Sequence, residues 1–351
     1  MSINNTFGVT QPVTILGAVL TGNFMSGASI DTNGAVLLAG IQASENLGNG
    51  LLISQVSSAA TGNIAVSGSL GLNRFNGNDG LGLSIFFARK NVSLSSVQAV
   101  GNSFSAVDIH GAGLASNVTL VNVEASGSTG GGTRGVYIQT SGVVLLDRVT
   151  AMDNAETGIY IDNDHATYAR AVTVRNSTAS NNGGYGIWVS SVGAITLSNV
   201  KANSNGIMGA RLDNGHDPSP TQVPQGITVN TSVFEGNSEQ GLQIYSLRRV
   251  ALSNISAQWN KYTGIQVTNL NPAASPVIIS GINQVNYNSI GHTYNGLFIE
   301  STGPVTVSGL SASFNGSTGI TISTSGTVLL DRVTAVFNNG TGITLYNKDT
   351  P

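Results

Sequence analysis

Residues 142–161, GVVLLDRVTAMDNAETGIYI, are nearly repeated as residues 326–345, GTVLLDRVTAVFNNGTGITL. In both segments apolar and polar residues alternate, an Asn-rich turn follows, and the chain resumes with Gly, an apolar residue, any residue and a second apolar residue. Alternation with a period of two is typical of β-strands, and Asn and Gly are typical of turns. The pair therefore predicts a repeated unit of short strands and turns.

The Gly-led strand recurs thirteen times, with a single replacement of its Gly by Ala. Its first residues are Gly27, Gly50, Gly82, Ala106, Gly135, Gly158, Gly186, Gly209, Gly241, Gly264, Gly296, Gly319 and Gly342. Units of about 27 residues leave no room for the helices of ankyrin or tetratricopeptide repeats, but they hold three short strands and three turns. The sequence predicts an all-β fold, a parallel β-helix (β-solenoid) of about 13 coils.

Two features of the unit predict its interior. The apolar residues of the Gly-led strand, such as Ile187 and Val189, should point inward, and the residue between them outward. An Asn stands four residues before the Gly in eleven units, whereas Gly131 and His292 take that place in the other two. Asn tolerates a left-handed backbone and bonds neighbouring main chain, so we expect a structural ladder of stacked Asn side chains.

These repeats resemble the right-handed parallel β-helix superfamily of pectate-lyase-like proteins, from about Pro12 to Tyr346. That superfamily includes lyases, hydrolases, epimerases, phage tailspikes and non-catalytic adhesins, so the resemblance implies a fold without selecting a function. We expect one β-helix domain over residues 1–351, with residues 1–11 as an N-terminal edge. Residues 347–351 are expected to form a C-terminal tail, and the chain is consistent with a piece of a longer protein.

The composition limits which classes of binding partner we expect. With 14 Lys and Arg against 17 Asp and Glu, the net charge of −3 gives no reason to expect nucleic-acid binding. The chain has no Cys, and it lacks the run of about 20 apolar residues that a membrane helix needs. From the exposed stripe described below we predict a polysaccharide or cell-surface glycan as partner and an extracellular or cell-surface location. Bare strand edges at the ends predict end-to-end or lateral self-association.

An exposed stripe of side chains is predicted at the outward position of the Gly-led strands. Its middle members are Asp108, Tyr137, Tyr160, Trp188, Arg211 and Gln243. Aromatic rings stack on sugars, and Arg and Gln bond hydroxyl or carboxylate groups. We predict that a polysaccharide is bound along Tyr137, Tyr160, Trp188, Arg211 and Gln243. The alternative is that β-propensity alone places aromatic residues on this face.

The candidate catalytic residues lie in and beside SAVDIH, residues 105–110. Asp108 and His110 should share one face, with Tyr137 in the next coil and Arg134 just before its Gly. A uronate lyase or epimerase needs a cation, a base and an acid, which Arg, His and Tyr supply together. A pair of hydrolase carboxylates, Asp108 and Asp162, is a further alternative.

This patch resembles the Tyr-Gly-Phe-Asp-Pro-His motif of mannuronan epimerases. Asp108 and His110 match the Asp and His of that motif in spacing. Ser105, Ala106 and Ile109 stand where the motif has Tyr, Gly and Pro. The resemblance implies an epimerase or lyase site for an acidic glycan.

No cofactor is predicted, and Ca²⁺ is considered only as an alternative. Two polar loops carry candidate oxygen and imidazole ligands, namely Asp162, Asp164, His165, Asp213, His216 and Asp217. Polar surface loops have the same composition without a metal. We predict no metal site here.

The leading hypothesis is a non-catalytic extracellular β-solenoid, adhesin-like or a surface structural module, that binds polysaccharide along the stripe. The rival hypothesis is a polysaccharide lyase, epimerase or hydrolase acting on an acidic glycan at Asp108 and His110. A third is a structural spacer without a ligand.

Overall fold

The computed structural model describes residues 1–6, 11–55, 60–111, 116–164, 170–215, 225–270 and 273–347. The chain divides into two compact units. Unit 1 comprises Met1–Val172 with Asn176–Thr178, and unit 2 comprises Thr173–Arg175 with Ala179–Pro351. The expectation of a single β-helix domain over residues 1–351 stays a prediction.

Short strands make up both units. Unit 1 contains β1 (Ser2–Asn5), β2 (Val13–Leu16), β3 (Ala28–Thr32), β4 (Val36–Ala39), β5 (Leu51–Ser54), β6 (Ile64–Ser67), β7 (Asn73–Arg74), β8 (Leu83–Ala88), β9 (Val92–Val100), β10 (Val107–Gly111), β11 (Val118–Ser126), β12 (Arg134–Gln139), β13 (Val144–Thr150) and β14 (Thr157–Asn163), with a 3₁₀ turn at Gly68–Leu70. The division between the units falls within β15 (Val172–Arg175). Unit 2 contains β16 (Ile187–Ser191), β17 (Ile195–Ser198), β18 (Ala210–Asn214), β19 (Ile227–Val233), β20 (Leu242–Ser246), β21 (Val250–Ser256), β22 (Ile265–Asn269), β23 (Val277–Ser280), β24 (Asn283–Gln284), β25 (Leu297–Ser301), β26 (Val305–Ser311), β27 (Ile320–Thr324), β28 (Val328–Thr334) and β29 (Ile343–Asn347).

The strands of each unit form two parallel sheets. In unit 1 the sheet of Gly-led strands, here called the G sheet, has the order β1-β3-β5-β8-β10-β12-β14, and the second, the anchor sheet, has the order β2-β4-β6-β9-β11-β13. In unit 2 the G sheet has the order β16-β18-β20-β22-β25-β27-β29, and the anchor sheet contains β17-β19-β21-β23-β26, with β28 paired to β26. Each pass of the chain thus adds one strand to each sheet, which confirms the predicted parallel β-solenoid.

Each of the thirteen predicted Gly-led strands is present among the described residues. An additional strand, β1, lies in the segment predicted to be only an N-terminal edge, and it pairs in parallel with β3 from Ser2 to Asn5. The sequence missed β1 because SINN carries no Gly and only one large apolar residue.

The interior follows the predicted alternation. Ile187 and Val189 in unit 2, and Ile159 and Ile161 in unit 1, are fully buried. The intervening outward residues, Trp188 and Tyr160, are only half-buried. Burying such side chains contributes about 1.5–3 kcal/mol each relative to exposure, so the stacked interior columns account for much of the fold's stability.

The predicted Asn ladder is present in both units. In unit 1 the Nδ2 atoms of Asn23, Asn46 and Asn78 each donate to Oδ1 of the next member, ending at Asn102, over 2.7–2.9 Å. In unit 2 the ladder runs through Asn182, Asn205, Asn237, Asn260, Asn288, Asn315 and Asn338.

One of the two predicted interruptions of the ladder is wrong, and the other is real but was assigned to the wrong residue. Asn288, not His292, occupies the ladder position between Asn260 and Asn315, because an insertion lies between Asn288 and its Gly. In unit 1 the position belongs to Ser128, whose backbone N–H donates to Oδ1 of Asn154 at 3.1 Å, and not to Gly131. The rule that the ladder residue stands four positions before the Gly fails wherever extra residues are inserted between the two.

The ladder Asn, together with nearby backbone carbonyl groups, explains the Gly of the Gly-led strand. A Cβ on Gly82 would lie 2.7 Å from Nδ2 of Asn102, and one on Gly135 would lie 2.6 Å from Nδ2 of Asn154. Side-chain carbons are not tolerated at such distances. Ala106 is followed in the next coil by Ser128, whose short side chain leaves room for the methyl group. Asn102 Nδ2 and Ser128 Oγ are consequently buried, without a hydrogen-bond partner in the described part of the chain.

The anchor strands bend at one of the three turns that the sequence predicts in each repeat. A single residue with positive φ makes the bend inside a continuous strand, for example Asn122 (φ 53°) in β11 and Arg148 (φ 55°) in β13. Asn adopts this region readily, whereas Arg does so at some cost. Because of this bend, two of the short strands predicted for each repeat form one continuous bent strand.

Candidate functional site

The outward residues of the unit 1 G sheet lie side by side, as the sequence predicts. Ser84, Asp108, Tyr137 and Tyr160 are successive partners on β8, β10, β12 and β14. Asp108, Tyr137 and Tyr160 are half-buried, and Ser84 is fully buried. The strand alternation therefore places the candidate acid and both tyrosines in one column, about one strand spacing apart.

A second outward column lies beside the first, two residues further along each strand. His110 is the partner of Gln139, and Gln139 is the partner of Asp162. Nε2 of Gln139 donates to Oδ2 of Asp162 at 3.1 Å. Gln139 is absent from the predicted site, although the alternation that places His110 and Asp162 on this face places Gln139 between them.

Together the two columns form a polar and aromatic group, here called the His110 cluster. Its members are Asp108, His110, Arg134, Tyr137, Gln139, Tyr160 and Asp162. Nε2 of His110 lies 2.6 Å from Oδ1 of Asp108, and both side chains are largely but not completely buried. The His110 ring packs edge-on against Tyr137, with 4.9 Å between ring centroids, and lies 5.2 Å from the ring of Phe86.

The tyrosines stack on each other. The ring centroids of Tyr137 and Tyr160 are 5.2 Å apart and the ring planes differ by 21°. The guanidinium carbon of Arg134 lies 4.4 Å from the Tyr137 centroid and 4.7 Å from that of Tyr160. Because Tyr137 and Tyr160 turn ring faces to each other, this part of the stripe differs from the expected row of open ring faces. Here the protein presents ring edges and polar groups to a ligand.

Electrostatics in the cluster favour protonated side chains. The hydrogen bond to Asp108 raises the pKa of His110 above its ordinary 6.5, although burial opposes this shift. Burial, followed by the nearby charge of Asp162, raises the pKa of Tyr137 to about 12. At neutral pH the Tyr137 hydroxyl is therefore protonated, and His110 is protonated to a greater extent than a free imidazole.

Other residues near the predicted motif have structural contacts. Oγ of Ser105 accepts a hydrogen bond from the backbone N–H of Arg134 at 3.0 Å, which ties adjacent coils together. The backbone N–H of Arg89 donates to Oε1 of Gln55 at 3.0 Å. Phe86 was missed because Phe87, with φ at 58°, breaks the alternation of β8.

Unit 2 carries a second group on its own G sheet, here called the Arg211 cluster. Its members are Trp188, Arg211, Gln240, Gln243, Tyr245 and Gln266. Trp188, Arg211 and Gln243 are successive strand partners, as predicted. The ring of Trp188 lies 5.0 Å from that of Tyr185, at a tilt of 45°.

Unit 2 also carries an aromatic stack that the sequence analysis missed. Trp259, Tyr287, Phe314 and Phe337 stack in that order, with ring centroids 4.1, 4.9 and 5.1 Å apart. Each has a φ of 56–60°, a conformation that bulky residues rarely adopt. Each also immediately precedes a ladder Asn, so the repeated dipeptides WN, YN, FN and FN were the available signal.

The candidate metal ligands are only partly described. His165, His216 and Asp217 lie outside the described residues, as do parts of the long loops that carry them. Within the described ranges, no group of three or more His, Cys, Asp or Glu side chains is placed to hold a metal ion. In the same ranges, no helix is long and apolar enough to cross a membrane.

Comparison with known proteins agrees with the architecture. No curated protein sequence matches this chain. In fold, the chain is similar to the A-modules of the mannuronan C-5 epimerases AlgE4 and AlgE6 of Azotobacter vinelandii, each with 14% identity and a TM-score of 0.55. The likeness covers 91% of this chain and 90% of the AlgE4 module, and 90% of this chain and 91% of the AlgE6 module.

A family assignment rests on most of the chain. Residues 63–225 and 221–351 match the family described as the right handed beta helix region. These ranges contain both the His110 cluster and the Arg211 cluster. The chain belongs to the right-handed β-helix family.

Proposed function

We propose that this protein is a non-catalytic, polysaccharide-binding β-helix whose contact surface is the outward face of the G sheet. The observation that carries the proposal is the His110 cluster. Asp108, His110, Arg134, Tyr137 and Asp162 form a half-buried array of hydrogen-bonding groups among aromatic rings.

The array suits sugar hydroxyls because it contains both donors and acceptors. Arg134 and the Tyr137 hydroxyl donate, the carboxylates of Asp108 and Asp162 accept, and a hydroxyl group both donates and accepts. The charges of the two carboxylates are offset by Arg134 and by protonated His110. The cluster therefore has little net charge with which to favour a strongly ionic ligand.

The protonation states argue against catalysis. Elimination or epimerisation next to a carboxylate requires a base that removes a carbon-bound proton. The pKa of Tyr137, raised to about 12, keeps its proton in place at neutral pH. His110 is held towards its protonated form by Asp108, which is itself engaged in that contact. The candidate bases are thus protonated or paired.

A second candidate function is favoured by one observation. The 2.6 Å contact between His110 and Asp108, with Tyr137 and Arg134 alongside, has the residue types of a proton-transfer site. The Azotobacter vinelandii modules of similar fold are named as mannuronan C-5 epimerases. Under this alternative the protein is a lyase or epimerase of an acidic glycan.

The proposal includes location and partners. A glycan-binding β-helix with little charge fits an extracellular or cell-surface, adhesin-like role. Asp108, His110, Arg134, Tyr137 and Tyr160 belong to the proposed contact surface of unit 1, and Trp188, Arg211 and Gln243 belong to that of unit 2. End-to-end or lateral self-association stays a prediction.

A glycan array with matched variants tests the proposal. Arg134→Ala should weaken binding of the parent's glycans at least several-fold, because it removes the donor between the two tyrosines. Arg148→Ala, the same substitution at an exposed position of the anchor sheet, should leave binding unchanged.

Two results would contradict the proposal. If the parent binds no glycan on the array, the proposed function is wrong. If incubation with a uronate polymer produces unsaturated or epimerised residues, and Asp108→Asn stops this, the lyase or epimerase function replaces it.

A further inference from the structure

The Arg211 cluster has unsatisfied hydrogen-bonding groups that identify the chemistry of a ligand. Arg211, Gln243 and Gln266 are successive partners on β18, β20 and β22, so their side chains share the outward face of the unit 2 G sheet. Trp188 is the partner of Arg211 on β16. One aromatic ring, one guanidinium and a group of amides are therefore gathered at one place.

Arg211 is held between two aromatic rings. Its guanidinium carbon lies 5.3 Å from the ring centroid of Trp188 and 5.3 Å from that of Tyr245. Nη2 of Arg211 lies 3.6 Å from Oδ2 of Asp213, a distance that allows charge attraction but is too long for a hydrogen bond. Nε of Arg211 is buried and has no hydrogen-bond partner among the described residues.

The amides leave two acceptors unpaired. Nε2 of Gln240 donates to Oε1 of Gln266 at 3.1 Å, and Nε2 of Gln243 approaches the same oxygen at 3.5 Å. Both amides therefore use their donor groups on one acceptor. The Oε1 atoms of Gln240 and Gln243 have no partner in the described part of the chain, and Gln243 is only 5% exposed. Buried polar groups without partners are rare and call for an explanation.

We propose that the Arg211 cluster binds a neutral, hydroxyl-bearing sugar residue. This inference rests on the proposed glycan-binding function and specifies the ligand class of its unit 2 surface. Two unpaired acceptors and one unpaired donor need a ligand that both donates and accepts. A sugar with neighbouring hydroxyl groups does both, so its O–H groups donate to Gln240 and Gln243 and an oxygen accepts from Arg211.

Charged ligands fit this pattern less well. An ionised carboxylate or sulfate accepts hydrogen bonds only, so it would pair with Arg211 and leave both glutamine oxygens unpaired. Asp213, which lies beside Arg211, also offsets the positive charge that would attract an anion. Trp188 is half-buried, and its exposed part supplies the aromatic surface against which the C–H groups of a sugar pack.

Trp188 supplies a probe within the cluster. The chain has two tryptophans, Trp188 and Trp259, so Trp259→Phe leaves Trp188 as the sole indole fluorophore and keeps an aromatic ring in the unit 2 stack. In this background, emission is titrated with cellohexaose, mannohexaose and laminarihexaose, and with counterparts oxidised at C6 to uronic acids. We expect at least one neutral oligosaccharide to change Trp188 emission, and to bind at least tenfold more tightly than its oxidised counterpart.

Two substitutions link binding to the unpaired groups. Gln243→Leu removes one unpaired acceptor and should weaken neutral-sugar binding at least tenfold without lowering the melting temperature. Arg211→Lys keeps the charge but removes the Nε donor, and should weaken neutral-sugar binding several-fold. This second variant tests the inference independently if Gln243→Leu folds poorly. Gln284→Leu, the same change at an exposed glutamine of the unit 2 anchor sheet, should have no effect.

The outcomes separate this inference from the proposed function. If Gln243→Leu and Arg211→Lys fold and bind neutral sugars like the parent, or if the oxidised sugars bind more tightly, the inference is overturned. The glycan-binding function survives that result if Arg134→Ala still reduces glycan binding. If the array shows no glycan binding by the parent at all, the proposed function fails together with the inference.

Discussion

The replacement of Gly by Ala at position 106 leads to a quantitative prediction about stability. At Gly50, Gly82 and Gly135 of unit 1, the amide nitrogen of the next ladder Asn lies only 2.6–2.8 Å from where a Cβ would lie. At Ala106 the next ladder residue is Ser128, and the buried Nδ2 of Asn102 is left without a partner. The pair Ala106→Gly with Ser128→Asn should restore the regular arrangement.

The magnitude follows from the contacts that would form. By analogy with Asn78, which donates both to Ala43 O and to Asn102 Oδ1, the introduced amide should donate two hydrogen bonds and accept one from Asn102. Each contributes about 0.5–1.5 kcal/mol net. Replacing Ala by Gly in a regular element costs about 0.5–1 kcal/mol. We expect the double variant to be about 1 kcal/mol more stable than the parent.

The single variants should both lose stability. Ser128→Asn alone forces an amide against the Ala106 methyl group, an overpacking that costs about 1–3 kcal/mol. Ala106→Gly alone loses a buried methyl group and some backbone entropy without gaining a hydrogen bond. The two changes should therefore be coupled favourably by about 2.5 kcal/mol or more, at the upper end of the range of about 0.5–3 kcal/mol found for residues in contact.

Thermal melting and amide hydrogen exchange provide the assay. Repeat proteins open locally, so exchange at the backbone amides of Asn102 and Ser128 reports the affected coils directly. Exchange should slow in the double variant and accelerate in both single variants. If Ser128→Asn alone is tolerated as well as the double variant, the proposed conflict between the Ala methyl group and the ladder is refuted.

Three further predictions concern the interior, the aromatic stack and the His110 cluster. Ile187→Asp should abolish cooperative melting of unit 2, because an unpaired buried charge is costly; an unchanged melting curve would contradict the register. Tyr287→Gly and Phe337→Gly both relieve a positive φ, but the first loses two stacking partners and the second only one, so Tyr287→Gly should cost about 0.5–1.5 kcal/mol more, as measured by denaturant titration. The contact with Asp108 raises the folded-state pKa of His110 above 6.5. The folding stability that this contact contributes is therefore fully present below pH 6.5 and is lost as the pH rises through the folded-state pKa. By NMR, His110 should titrate above 6.5 and fall back in Asp108→Asn; identical titration in both proteins would contradict the contact.

The sequence was a good guide wherever a local alternation decides the structure. Ile187 and Val189 are inward, and Asp108 and Tyr137 lie side by side, because the period of two along each strand is enough to place them. The alternation needs no knowledge of distant residues. The same reasoning extends to Gln139, which the sequence analysis passed over.

Features that depend on contacts between coils were predicted less well. Asn288 and Ser128 occupy ladder positions because of what they stack on, not because of their distance from a Gly. Only the neighbouring coil defines these registers.

The orientation of aromatic rings could not be predicted from the sequence pattern. The columns of Tyr137 and Tyr160 were predictable, but their mutual stacking depends on side-chain torsions set by Arg134 and His110. For the same reason the sequence predicted open ring faces at Tyr137 and Tyr160, whereas in the structure these two rings face each other and leave ring edges and hydrogen-bonding groups for a ligand.

The central claim is that the His110 cluster holds a glycan without altering it. The most direct test is one NMR titration of protein with isotope-labelled His and Tyr side chains, using an oligosaccharide that the array identifies as a ligand. The ring signals of His110 and Tyr137 should shift with saturation, while the sugar's anomeric signals stay those of the starting material. Unmoved His110 and Tyr137 signals, or new olefinic or epimerised sugar signals, would contradict the account.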